Sequence, residues 1–171
     1  VWVVGIVLDA DVTFQNISLS FSSNVRNAIV ANGHTLTLEN VTCGNSSFNL
    51  FCGGLINSNN ENFTVPAPGG TGTIHINGKT SLQNKDTYGS GNIYAGNLCM
   101  GGMNASTNGP DNNGPANTFS GDSVIIIEDC QDVGSVYACG AQQRIPVGQE
   151  SGKVTLPNAA DYTVSGSVTV S

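Results

Sequence analysis

Glu128, Asp129 and Asp132 stand close together in the sequence, and Asp9 and Asp11 form a second acidic pair. On an extended segment, residues two apart share a face, which sets Asp9 and Asp11 side by side. Two carboxylates so placed hold a Ca²⁺ ion or serve as acid and base at a glycosidic bond. Acids at strand ends have a plainer use, capping turns through Asx hydrogen bonds, and that is the expectation for these. A lyase needs a cation beside its acids, and none of Arg26, Lys79, Lys85, Arg144 and Lys153 is adjacent to them in sequence. Tyr94 and Tyr137 are the aromatic candidates. A pair of exposed tyrosines stacks against sugar rings, although their place at the end of a repeat predicts an inward or half-buried ladder. With Asp129 and Asp132 they make up the candidate ligand-binding set. His34 and His75, the two histidines, fall at a strand start and at an alternating position, where an outward or corner role is expected rather than a catalytic one. No residue is assigned to catalysis, to a metal or to a cofactor.

The elements that must carry these residues show themselves in a recurrence. Gly91 to Cys99 reads GNIYAGNLC, and Gly134 to Gln142 reads GSVYACGAQ, 43 positions later. The same step backwards from Ile93 and Tyr94 reaches Leu50 and Phe51, inside FNLFCGG. Each repeat joins an alternating strand to this apolar-aromatic step: Leu36 to Leu38 precedes the first, Ile74 to Ile76 the second and Val124 to Ile127 the third, while Val168 to Val170 opens a fourth. Apolar residues at helical spacing are lacking, whereas short alternating runs bounded by Gly, Asn, Asp and Ser recur along the chain. A repeat of this length, rich in strands and turns, is the signature of a solenoid or a propeller. A propeller blade needs four strands, and only two or three are found per repeat. The reading is all-β: a right-handed parallel β-helix of about three to four repeats, with Asn and Gly at corners that require positive φ. Segments 57–70 and 101–121 have no apolar period and are read as loops inserted on its flank, where variable function tends to sit.

Cys43 and Cys52 are nine positions apart, as are Cys130 and Cys139, and the pairs are offset by 87, close to two repeats. Strands stack at about 4.8 Å, so residues two layers apart lie near 9.6 Å, beyond disulfide reach. Bonding within each pair is feasible, and so is the alternative that the cysteines are small, buried, reduced core residues. Neither C-x-x-C nor Cys/His zinc spacing occurs.

Only 10% of the residues are charged and the formal net charge is −7, so the clustered Lys and Arg needed for nucleic acid or an anionic membrane are missing. No run of about 18 apolar residues is present to span a bilayer. One domain over residues 1–171 is expected, and the apolar alternation at both ends reads as a piece of a longer chain. Five N-x-S/T tripeptides, at Asn16, Asn40, Asn45, Asn62 and Asn104, would mark glycans in a eukaryotic secreted chain; in a chain this rich in Asn, Ser and Thr several arise by chance. The Thr positions are too irregular across repeats for an ice-binding face.

The NIYAGN and SVYACG repeats, preceded by VTFQNISLSF and IVANGHTLTLENVTC, resemble the right-handed β-helix regions of large surface proteins of Gram-positive, gut-type bacteria. In that group V-Y-G-G-G steps alternate with V-T-I strands, and an A-N-G-H-x-L-x-I strand commonly stands before them. This chain departs from the triple-glycine step at Gly96-Asn97 and at Cys139-Gly140. The resemblance implies an extracellular, cell-wall-attached, adhesin-like module. It would be non-catalytic, serve as spacer or ligand-presenting segment, and have as partners a host or microbial glycan or surface protein and the neighbouring repeats of its parent chain. The rival expectation is a carbohydrate-active or glycan-binding β-helix whose acids gather from several layers.

Overall fold

The computed structural model describes residues 3–21, 25–57, 72–84, 91–100, 117–120, 122–138, 141–143, 162–165 and 168–171. All regular elements among them are strands, and every strand pairing is parallel. Val3–Val7 (β1), Val25–Val30 (β4), Asn49–Phe51 (β7), Ile93–Tyr94 (β10) and Val136–Tyr137 (β14) lie in that order in one five-stranded sheet. Val12–Gln15 (β2), Thr35–Glu39 (β5), Thr73–Asn77 (β9), Ser123–Ile127 (β13) and Val168–Val170 (β17) make a second. Ser18–Leu19 (β3) pairs with Thr42–Cys43 (β6), and a Ser81–Asp132 bridge continues that side. Leu55–Asn57 (β8), Leu98–Met100 (β11) and Ala141–Gln143 (β15) add a three-stranded sheet, and Asn117–Ser120 (β12) pairs with Tyr162–Ser165 (β16).

The chain visits the two large sheets in turn, and each return adds the next strand, so five passes stack on one another. The register is that of the sequence recurrence: Leu50, Ile93 and Val136 are partners, as are Phe51, Tyr94 and Tyr137. Leu36, Ile74 and Ile125 align in the second sheet. The 43-residue step holds from Leu50 to Ile93 to Val136, but it does not extend to the first passes. The first two passes are offset by 24 residues, and 43 arises later, at Asn49–Asn92 and Asn92–Ser135. Segment 101–121, read as a loop, contains β12, because Asn-Thr-Phe-Ser carries the β-branched and aromatic residues that favour strand. Asn57 closes β8, and the rest of segment 57–70 lies outside the described residues.

Alternation along each strand builds the core. In β5 and β9 the burial pattern places Leu36, Leu38, Ile74 and Ile76 at 0% exposure and leaves Thr37 and His75 half-buried on the other face. Ile29, Leu50 and Ile93 from the first sheet and Val41, Phe48 and Leu82 from the third side close the same core. Left-handed residues turn the corners: Asn16, Asn40, Lys79 and Asp129 have φ of 56°, 54°, 63° and 47°. Asn tolerates this region because its short amide bonds locally, and here the Asn40 amide donates to Asn16 Oδ1 across passes at 2.9 Å. Two of the N-x-S/T asparagines are thus engaged in a corner ladder.

Candidate functional site

The strands β4, β7, β10 and β14 have two apolar faces. Ile29, Leu50 and Ile93 point into the main core, and the next residue of each strand points the other way. Val7, Val30, Phe51, Tyr94 and Tyr137 therefore form one column on the opposite face of the sheet. The Phe51 and Tyr94 rings stack with centroids 4.7 Å apart at 6°, and those of Tyr94 and Tyr137 at 4.9 Å and 12°. These separations match the spacing of neighbouring strands, about 4.8 Å. They exceed the ~3.5 Å van der Waals contact of carbon atoms, so the rings are slipped, the arrangement that the aromatic quadrupole prefers.

Exposure rises along this ladder. Phe51 is 2% exposed, Tyr94 is half-buried and Tyr137 is 40% exposed. The buried end is covered by Leu98 of β11, which packs with Ala28, Val30 and Phe51 in a second, smaller core. Of the two expected placements, inward or half-buried, the ladder takes the second at Tyr94: it lies outside the main core, and its burial comes from the added β8-β11-β15 sheet. Sequence reasoning missed that sheet, although Leu55, Leu98 and Ala141 align in register at the same step as the tyrosines.

Asparagines fix the ladder's register. Asn49 Oδ1 accepts from the Asn92 amide at 2.9 Å, and Asn92 Oδ1 accepts from the Ser135 amide at 2.9 Å, each across 43 residues. Asn97 Oδ1 accepts the buried Gly54 N–H at 2.7 Å over the same interval. Asn92 also donates to the Tyr94 hydroxyl at 3.4 Å. Gly91 is required where passes meet, since a Cβ there would overlap the Leu82 carbonyl oxygen. These residues also went unassigned, yet the Asn49–Asn92 interval was the available signal.

The acidic candidates sit elsewhere. Asp129 occupies the left-handed corner after β13, where its carbonyl accepts the Lys79 N–H at 2.7 Å. Asp132 bridges to Ser81, and its carbonyl accepts the Leu82 N–H at 2.9 Å. Neither belongs to the sheet that carries the tyrosines. Asp9 and Asp11 lie exposed between β1 and β2, and Asp11 Oδ1 accepts the Thr35 N–H at 2.7 Å. His34 Nδ1 stands 3.9 Å from the same carboxylate. On the outer face of the second sheet, His75 Nε2 donates to Glu128 Oε2 at 2.8 Å. Among the described residues, no three of His, Cys, Asp and Glu are grouped to hold a metal.

Cys43, Cys52 and Cys130 are free thiols. The Cys43–Cys52 bond set out from spacing is not formed: Cys52 is fully buried in the core, while the Cys43 thiol is directed to the Ser81 carbonyl at 3.5 Å. The Cys130 thiol donates to the adjacent Thr80 carbonyl at 3.0 Å, so Cys43 and Cys130 flank one pass from either side, equivalent places two layers apart. Cys139 lies outside the described residues. Burial pushes the Cys43 thiol up to about 11 and the Cys52 thiol to about 12, and it raises Cys130 too. Protonated thiols are poor nucleophiles and poor metal ligands.

Among the described residues, the exposed large apolar side chains are Ile17, Tyr137 and Val170, and Tyr137 is the aromatic one. In comparisons with known proteins, the chain matches no family model, no curated protein and no solved structure.

Proposed function

We propose that the chain is a right-handed parallel β-helix module of an extracellular bacterial surface protein, non-catalytic, acting as an adhesive spacer that presents ligand-binding groups on a rigid stack. The observation that carries this reading is the use of the acids. The Asp11 carboxylate takes the Thr35 N–H, while Asp129 and Asp132 hold a corner and a bridge between passes through their backbone carbonyls, beyond the opposite end of the second sheet's strands from Asp11. A glycosidase or lyase would instead gather carboxylates from neighbouring passes around one cleft. The likeness of its repeats to gut-type surface proteins supports the same reading, and so does a surface rendered polar by Thr, Asn and Ser rather than by charge. The carbohydrate-active alternative draws on one place, the His75–Glu128 pair joining adjacent strands of the second sheet.

A screen of the purified chain against immobilised glycans and surface proteins tests this, with Ca²⁺ and then with chelator, and with released products followed by mass spectrometry. Binding without product is the expected result. Product release that disappears in Glu128→Gln would replace the proposal with the enzymatic alternative.

A further inference from the structure

We infer that the corner between the first two passes is a Ca²⁺ site, its ligands the carboxylates of Asp9 and Asp11 and the amide oxygen of Asn32; this goes beyond the adhesive reading and does not depend on it. The observation behind it is Asn32. This residue is 8% exposed, has φ of 54°, and its Oδ1 is buried with no hydrogen-bond partner. A buried amide oxygen left unpaired is costly, so it calls for a donor or a cation. The other end of the amide fixes its direction: Nδ2 donates to the Leu8 carbonyl of the preceding pass at 3.1 Å. That bond draws the side chain onto the segment Leu8-Asp9-Ala10-Asp11, and Oδ1, in the same planar group, is held at that segment too. In the corner two passes on, Asn97 makes the complementary bond, its Oδ1 accepting the Gly54 N–H of the preceding pass. Asn32 instead turns its donor to the chain, and its oxygen meets no N–H.

The same segment supplies the charge. In Asp11 both contacts fall on one oxygen: Oδ1 accepts the Thr35 N–H at 2.7 Å and stands 3.9 Å from His34 Nδ1, which leaves Oδ2 to a ligand. Asp9 follows Val7 by two places and Asn32 follows Val30 by two, and Val7 and Val30 are partners, so Asp9 and Asn32 face each other across adjacent passes. Two carboxylates and an amide oxygen are donors for a hard cation. Ca²⁺ takes roughly six to eight oxygens in a flexible shell that water completes, whereas Mg²⁺ demands a near-ideal octahedron that a bend shared by two passes does not offer. Both walls of the site, residues 8–11 and 31–35, are described passes, so it lies within the stack and not at an end of it. An ion there ties the first pass to the second.

The test is a set of urea melts of the whole chain in about 150 mM KCl, which screens diffuse ion binding, with chelator, with Ca²⁺ or with Mg²⁺. For a dissociation constant of about 1 mM, about 10 mM Ca²⁺ should raise the folding equilibrium constant about tenfold, and Mg²⁺ by no more than about twofold. Asp11→Asn keeps an Oδ1 to accept the Thr35 N–H and so should keep the fold, yet it should lose the Ca²⁺ effect, as should Asp9→Asn. Glu128→Gln makes the same change of charge elsewhere and should retain it. In ¹³C-labelled protein the side-chain carbonyl carbons of Asp9, Asp11 and Asn32 should shift together as Ca²⁺ is added. No stabilisation by Ca²⁺, an equal effect of Mg²⁺, or an undiminished effect in Asp11→Asn overturns the site. Movement of Asp9 and Asp11 with Asn32 unmoved also overturns it, since the ion then sits on surface carboxylates alone. None of these outcomes bears on the adhesive reading, which the earlier screen decides.

Discussion

Replacing Ile74 by Ala probes how tightly the passes depend on one another. Ile74 lies in β9 with Leu36 beside it on one side and Ile125 on the other, all three at 0% exposure. The substitution removes three carbons, worth about 0.8 kcal/mol each in transfer from water, or about 2.4 kcal/mol. The neighbouring strands are held by their own hydrogen bonds and cannot close the gap. A residual cavity of roughly 60 Å³ at about 24 cal/mol per Å³ adds about 1.5 kcal/mol, for a total near 4 kcal/mol. With a urea m-value of about 2 kcal/mol per M, the midpoint should fall by about 2 M. Val170 in β17 provides the contrast: it is 51% exposed, so Val170→Ala should cost below about 1 kcal/mol. Urea melts followed by circular dichroism give the midpoints, and amide hydrogen exchange shows where protection is lost. In a stack whose stability is a sum over passes and their interfaces, Ile74→Ala should loosen β5 and β13 along with β9. Equal midpoints for the two variants, or loss of protection confined to β9, would refute the reasoning.

Asn97→Ala leaves the buried Gly54 N–H without its 2.7 Å acceptor and should cost about 1–3 kcal/mol in the same urea assay. Glu128→Gln breaks an exposed pair, 29% and 64% exposed on its two sides, and should change stability by no more than about 0.5 kcal/mol. The raised thiols have a definite pH signature. The folded state holds Cys43 and Cys52 protonated up to about 11 and 12, whereas the unfolded chain releases these protons near the ordinary thiol value of 9.0. Their contribution is complete below pH 9 and is lost as pH rises from there through the folded values. Stability measured from pH 8 to 11 should therefore fall above 9, and a Cys43→Ser, Cys52→Ala chain should fall less steeply. Site-resolved iodoacetamide labelling of the native protein at pH 8 should spare both thiols.

How much of this could be read in the sequence depends on how each element signals itself. The stacking of Leu50, Ile93 and Val136 was legible because the recurrence includes an aromatic next to each, and a parallel register carries a sequence offset directly into contact. The shorter offset was present too, in VTFQNISL from Val12 and LTLENVTC from Leu36, but conservative exchanges such as Phe14 for Leu38 hide it. Which face the tyrosines take was not legible. Strands of two residues that are apolar on both sides give no alternation to read, and what buries Phe51 is Leu98, whose strand is three residues long. The place of Asp129 at a corner was legible in type, since Asp tolerates the left-handed region that turns require; the partner Lys79, whose N–H meets the Asp129 carbonyl, was not, because nothing local links residues 50 positions apart. The Cys43–Cys52 pairing went astray because equal spacing on a repeat records equal places in successive passes, not proximity of the two ends.

The central claim is that residues 43 apart lie in adjacent parallel strands and so assemble the Phe51–Tyr94–Tyr137 ladder. Scalar couplings through hydrogen bonds test it directly in ¹⁵N,¹³C-labelled protein. The account predicts couplings from the Leu50 nitrogen to the Asn92 carbonyl carbon, from Cys52 to Tyr94, from Ile93 to Ser135 and from Ala95 to Tyr137, the donors and acceptors that lie 2.9–3.0 Å apart. Couplings that instead join these amides to carbonyls within their own segment, as a local antiparallel hairpin would give, contradict it.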